Sequence, residues 1–227
     1  MRLTSMNRRL LTAAFAFSLF AGLTVARAQT SAPPNSGNNF KDTSLLKPPA
    51  GSRVAIIAFE DLECPACARA FPMVHAAAEH YKIPNIRHDF PLAMHVWSFD
   101  AAVIARYMQD KINPGIAEEY RKQVFAAQTA IASKDDLRNF TQRFFQAHGA
   151  TMPFMIDPTG QFTKEVKADF ALGEKIGLTQ TPTIWVVTQN HWVQIMDPTL
   201  LYQTIDAAMA ETAPRAGVKT VAKHKSR

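Results

Sequence analysis

The chain has 227 residues, 47% hydrophobic and 19% charged, with a formal net charge of +6 at pH 7 and a pI near 9.4. The excess positive charge lies at the two ends. Residues 1–28 carry Arg2, Arg8, Arg9 and Arg27 with no acid, and residues 212–227 carry five bases with no acid, which leaves the body between them near −3 and without a nucleic-acid-binding face.

The first segment, "MRLTSMNRRLLTAAFAFSLFAGLTVARAQT", has a basic start, an apolar run from Leu10 to Val25, and the small-x-small site Ala26-Arg27-Ala28. This is the pattern of a secretory signal peptide, cut after Ala28. The run falls short of the ~20 apolar residues a spanning helix needs. About 199 residues remain after cleavage, enough for one substantial core. Residues 29–51 are rich in Ser, Asn, Pro and Gly and read as a flexible leader.

"RVAIIAFED" is a short, nearly continuous apolar run, the mark of a strand buried on both faces. "PACARAFPMVHAAAEHYK" has helical spacing, and "NIRHDFPL" reads as the next strand. Strand, helix, strand implies a parallel pair joined by a right-handed crossover. Residues 97–176 read as helical throughout, with Ser133 and Asp136 forming an N-terminal cap signal and Gly149 a stop. "TIWVVTQ" and "HWVQIM" are two strands with a polar turn between them, and "DPTLLYQTIDAAMAETA" is an amphipathic closing helix. Strands on both sides of the helical block make it an insertion within one α/β unit, so the domain runs over 52–211. Residues 212–227 read as a basic, disordered tail.

The only two cysteines are Cys64 and Cys67, in "FEDLECPACARAFP". A structural disulfide usually closes a long loop to restrict the unfolded chain, and this pair encloses almost nothing. A zinc site needs four N/S ligands, but there is no second CxxC, and the seven histidines show no paired ligand spacing. A redox pair is the third reading, and the position favours it. Cys64 stands where a buried strand gives way to a helix, so helical N–H groups and the helix dipole favour its thiolate. Pro65 suits the first helical position. Cys67 lies one turn on, within disulfide reach. Cys64 can exchange at the surface while Cys67 resolves the mixed disulfide.

Several separated segments resemble the thioredoxin superfamily, and within it the exported DsbA-like thiol–disulfide oxidoreductases. "FEDLECPAC" is similar to that group's segment through Phe59, Asp61, Cys64, Pro65 and Cys67, and Pro72 matches the proline that kinks the active-site helix. "DFPLAMH" resembles the run closing the second strand, the helical block resembles an inserted helical subdomain, and "TQTPTIWV" resembles the Thr-Pro facing the CxxC. The resemblance covers residues 52–210. It implies an α/β thioredoxin fold with an inserted helical subdomain, a cis bond at Pro182, and a backbone at Thr181 and Pro182 that pairs with an extended substrate. Many relatives carry a buried acid at the position of Ala58; Glu60, two residues on, is the candidate to transfer the proton there. Asp61 and Glu63 read as solvated acids near a strand end. Ala66 offers no donor to Cys64 where strong oxidants often have histidine, so the Cys64 pKa is expected below the free value but less depressed than in those oxidants. Met94 and Trp97 are apolar candidates for a peptide groove near Cys64.

The functional expectation is an exported, periplasmic or secreted oxidase. It acts as a monomer, without cofactor or metal. It donates the Cys64–Cys67 disulfide to cysteine-containing exported polypeptides and is reoxidised by a quinone-linked membrane partner, as the family implies. One alternative runs the same CPAC chemistry in reverse, as a reductase or isomerase, although isomerases of the superfamily usually carry a dimerisation domain for which the leader leaves no room. The other is a thioredoxin-fold module that binds a metal or partner without turnover.

Overall fold

A computed structural model of the chain describes residues 40–214. The segment read as a signal peptide, the leader up to residue 39 and the tail from 215 lie outside the described residues.

Strand β1 (Val54–Glu60) is buried at every position, as its unbroken apolar run requires, because it occupies the middle of the sheet. The order is β2-β1-β3-β4, with β2 (Asn85–Asp89) parallel to β1 and β3 (Thr183–Thr188) antiparallel to it. The edge strand β4 (Trp192–Gln194) pairs antiparallel with β3. It is shorter than the sequence pattern suggests: only three residues of "HWVQIM" hold the strand. β2 likewise ends at Asp89, before "FPL".

Alternation along β1 divides the core. Val54, Ile56 and Ala58 face helix α1 (Pro65–Tyr81) and helix α6 (Leu201–Glu211), where Val74, Ala77 and Ile205 meet them. Ala55, Ile57 and Phe59 face the other way, toward Trp185, Phe90 and Ile176. The helical insertion is four helices: α2 (Ser98–Lys111), α3 (Pro114–Ala127), α4 (Lys134–Ala147) and α5 (Gln161–Ile176). It is interrupted by a non-helical stretch over 150–160 rather than continuous. Ser133 Oγ accepts from Asp136 N–H at 3.1 Å and its hydroxyl donates back to the Asp136 carboxylate at 2.7 Å, which starts α4. α5 approaches the sheet closely at Gly173, where a Cβ would stand 2.4 Å from the Phe90 ring.

Residues 40–51 depart from the flexible leader expected of their composition. Phe40 packs edge-on against Trp185 and Trp192, with ring centroids 5.3 and 5.6 Å away, and Leu46 is buried. The two tryptophans of β3 and β4 need an apolar cover, and this segment supplies it.

The insertion is locked to the end of β2 by charge. Buried Asp89 accepts from Arg121 of α3 at 2.6 and 3.0 Å and from Arg106 Nε of α2 at 2.7 Å. Burial works to raise the Asp89 pKa, but the two guanidiniums outweigh it and hold the carboxyl at about 2. Asp169 of α5 closes the network, binding Arg106, the His88 ring and the Asp89 N–H. Stripping partners from a buried ion of this kind costs ~3–5 kcal/mol, so the network fixes how the helices sit against the loops that follow β1 and β2.

Candidate active site

β1 delivers the chain to a four-residue turn, Asp61 to Cys64, before α1 begins. Asp61 is 1% exposed, not solvated. Its carboxylate accepts from Glu63 N–H at 2.8 Å and Leu92 N–H at 2.6 Å, and pairs with His95 Nδ1 at 2.6 Å. Glu63 is engaged too: its Oε2 accepts from Trp97 N–H at 2.7 Å and Ser98 N–H at 3.1 Å, satisfying the start of α2. Both acids hold donors on neighbouring elements, a long-range satisfaction that the local sequence does not display.

Cys64 is the N-cap of α1, in an extended conformation (φ −78°, ψ 119°), with Pro65 following. Its carbonyl accepts the first helical bond, from Ala68 N–H at 3.1 Å, while its sulfur lies beside the free N–H groups of the first turn. Both cysteines are reduced. The nearby Cys67 thiol, the Thr181 side chain and the backbone N–H groups of Cys67 and Ala66 all favour the thiolate, and they bring the Cys64 pKa down to about 5 against the opposing effect of partial burial. That is below the ~8.5 of a free cysteine and above the ~3.5 of the strongest oxidants. Ala66 thus contributes its backbone N–H where its side chain has no donor.

Cys67 is the opposite case. It is fully buried, and burial pushes its thiol far above the ordinary range, with the Cys64 sulfur adding to the effect. The Asp61 N–H donates to Cys67 Sγ at 3.4 Å. The pair is therefore asymmetric: an outer sulfur that ionises readily and an inner thiol that keeps its proton.

Facing them, the Thr181–Pro182 peptide is cis. Because β3 begins at Thr183, opposite Phe59, this peptide sits at the same end of the sheet as the cysteines. The Cys64 thiol donates to the Thr181 carbonyl at 3.4 Å. The Thr181 hydroxyl is buried and has no partner in this dithiol form, so it is a donor that the thiolate can recruit.

Glu60 is buried at the end of β1, on the same side of the strand as Ala58, and accepts from Arg87 Nε at 2.8 Å. Burial raises its pKa, while Arg87 and Arg121 pull the other way. Its charge also works to raise Cys67, so the two groups are coupled. Arg87 continues outward to Glu118, with bonds at 2.8 and 3.0 Å. Of the two groove candidates, Met94 is 78% exposed, but Trp97 is 1% exposed and donates its ring N–H to the Ile131 carbonyl at 3.0 Å. Trp97 is a core residue and forms no surface groove. Among the described residues no group of three or more His, Cys, Asp or Glu side chains could hold a metal ion.

The thiolate is the species that alkylates. Iodoacetamide labelling of the reduced protein is expected to rise with pH through a midpoint near 5 and to level off above it, with label on Cys64 alone. A midpoint at or above the ~8.5 of a free cysteine, or label on Cys67 in the folded protein, contradicts this electrostatic account.

No curated protein sequence matches the chain. Solved structures do. A cysteine-to-alanine double variant of alpha-DsbA1 from Wolbachia pipientis is 15% identical, with 75% of this chain and 96% of that one covered and a TM-score of 0.60. ScsC of Proteus mirabilis, in a transitional conformation, is 17% identical over 71% of this chain and 70% of its own, with a TM-score of 0.57. DsbA2 of Pseudomonas aeruginosa is 18% identical over 71% and 91%, with a TM-score of 0.53. These likenesses carry the fold, a thioredoxin-like sheet with inserted helices. The thioredoxin family model matches residues 50–207, and the chain, with its paired cysteines at the strand-to-helix turn, belongs to the thioredoxin family.

Proposed function

We propose that the protein is an exported thiol–disulfide oxidoreductase that works as an oxidase, donating the Cys64–Cys67 disulfide to cysteines of other exported polypeptides. The observation that carries this reading is the asymmetry of the pair. A Cys64 thiolate stabilised at the helix N-terminus stabilises the reduced protein, and a stabilised reduced form makes the disulfide a stronger oxidant.

In the exchange, a substrate thiolate attacks Cys64 Sγ of the disulfide. The S–S bond breaks, and Cys67 leaves with the electron pair and takes up a proton. A second substrate thiolate then attacks the substrate sulfur of the mixed disulfide and expels Cys64 as its stable thiolate. Two electrons pass from the substrate to the cysteine pair, and a quinone-linked membrane partner takes them away. Thr181 and Pro182 hold the extended substrate segment beside Cys64, and Pro65 and Ala66 form the turn between the two sulfurs. The basic, apolar start of the chain directs it to the periplasm or the medium.

Glu60 is the proton donor and acceptor for Cys67 in this scheme. It is buried, has a raised pKa, and its charge acts on that sulfur; Arg87, held in turn by Glu118, fixes its carboxylate in place. Glu60→Gln should slow the step in which Cys67 leaves by about a hundredfold, the low end of general acid–base contributions, and flatten its pH profile. Stopped-flow oxidation of a dithiol peptide reads both, and an unchanged rate and profile remove Glu60 from the mechanism.

The direction of electron flow rests on the equilibrium of the pair with glutathione. A potential toward the ~−120 mV of a strong oxidase supports disulfide donation; one near the ~−270 mV of thioredoxin reverses the assignment to a reductase.

A further inference from the structure

The turn that carries Cys64 is held from the insertion side by one uncharged side chain. Gln128 stands in the single 3-10 turn (Gln128–Ala130) that follows α3. Its Nε2 donates to the Leu62 carbonyl at 2.8 Å and to the Cys64 carbonyl at 3.1 Å. An amide nitrogen carries two hydrogens, and both are used. The orientation of the amide is fixed by the same contacts, because turning it over would set its oxygen against two carbonyl oxygens. The two carbonyls flank Glu63, whose carboxylate is itself drawn onto the N–H groups of Trp97 and Ser98. Two elements of the insertion thus grip three consecutive residues, Leu62 to Cys64, from outside the cysteine motif.

We infer that Gln128 is a positioning residue for the Cys64 sulfur, through which the helical insertion helps to set the reactivity and redox equilibrium of the cysteine pair; this rests on the exchange reading above. The Cys64 carbonyl accepts from both Gln128 Nε2 and Ala68 N–H, so its direction, and with it the ψ of 119° that makes Cys64 an N-cap, is doubly fixed. That backbone setting keeps the sulfur against the N–H groups of Ala66 and Cys67. The Leu62 carbonyl has Gln128 as its partner on the insertion side, and its peptide plane directs the Glu63 N–H away, onto the Asp61 carboxylate. Without the Gln128 amide the Leu62 carbonyl loses this partner and the Cys64 carbonyl keeps only Ala68 N–H, so the turn is held by fewer bonds, and any turning of a carbonyl oxygen toward the sulfur destabilises the thiolate. Ala66 has no side-chain donor to compensate. The Glu63 charge also stays anchored on α2, away from the sulfur, only while the turn keeps this shape.

The variant Gln128→Met keeps the length of the side chain and removes both donors. Its alkylation midpoint for Cys64 should rise above the wild-type one, and its equilibrium with glutathione should shift by about fivefold toward the disulfide form, the scale expected for loss of a hydrogen bond or two at one site. Gln123→Met, on the same insertion, removes only a bond to Glu119 and should leave both quantities unchanged. A Gln128→Met protein that melts at a lower temperature but has the wild-type midpoint and equilibrium overturns the inference, since Gln128 is then merely structural. Should that variant not fold, the side-chain amide NMR signals of Gln128 in the wild type decide. Signals that move between the dithiol and disulfide forms support the coupling, and coincident signals overturn it. A wild-type protein that does not equilibrate with glutathione at all sinks the exchange reading itself, a result distinct from either.

Discussion

A negative charge on the Cys64 sulfur needs donors, and at an N-cap the backbone supplies them. The first turn of any helix has N–H groups with no partner inside the helix. Here a sulfur stands at the N-cap, where a serine or aspartate is usual, and the Cys67 thiol one turn on joins the N–H groups in favouring its thiolate. The remaining features serve that arrangement. Pro65 starts the helix without needing a donor, β1 brings the chain to the right end of the sheet, and the cis Thr181–Pro182 peptide closes the opposite side. Burial of Cys67 completes the asymmetry, because a low-dielectric position keeps the inner sulfur protonated while the outer one ionises.

The turn has bonds of its own, from Cys64 N–H to the Asp61 carbonyl at 3.1 Å and from Glu63 N–H to the Asp61 carboxylate at 2.8 Å. Long-range contacts add to them: Asp61 to Leu92 and His95, Glu63 to the start of α2, and Gln128 to two carbonyls. Those contacts require the insertion to stand in a fixed place, and the buried network of Asp89, Arg121, Arg106 and Asp169 provides that. Charge deep in the helical layer is thereby connected, through rigid packing, to the geometry around one sulfur.

The elements that the sequence displays are those whose causes are local. The apolar run of β1, the helical spacing of α1 and the Ser133 cap of α4 each follow from residues a few positions apart, and each is present in the structure. What local reading misjudges has its cause elsewhere in the chain. Residues 40–51 look like a polar leader, yet Phe40 and Leu46 are needed to cover Trp185 and Trp192, about 140 residues on. Asp61 and Glu63 look like solvated acids, since nothing nearby in sequence shows that His95, Leu92 and Trp97 will bring donors to them. Trp97 beside exposed Met94 gives no local sign that it turns into the core toward Ile131. Gln128 carries no signal at all; a glutamine after a helix is ordinary until the turn it holds is in view.

The central claim is that exchange passes through the Cys64 sulfur, with Cys67 in reserve. The most direct measurement is to mix glutathione disulfide with the reduced Cys67→Ser and Cys64→Ser variants at neutral pH and find the mixed disulfide by mass spectrometry. The account predicts a rapid, stable one-to-one glutathione adduct on Cys64 of the first variant and none on the second. An adduct on Cys67 of the second variant, or no adduct on either, would contradict it.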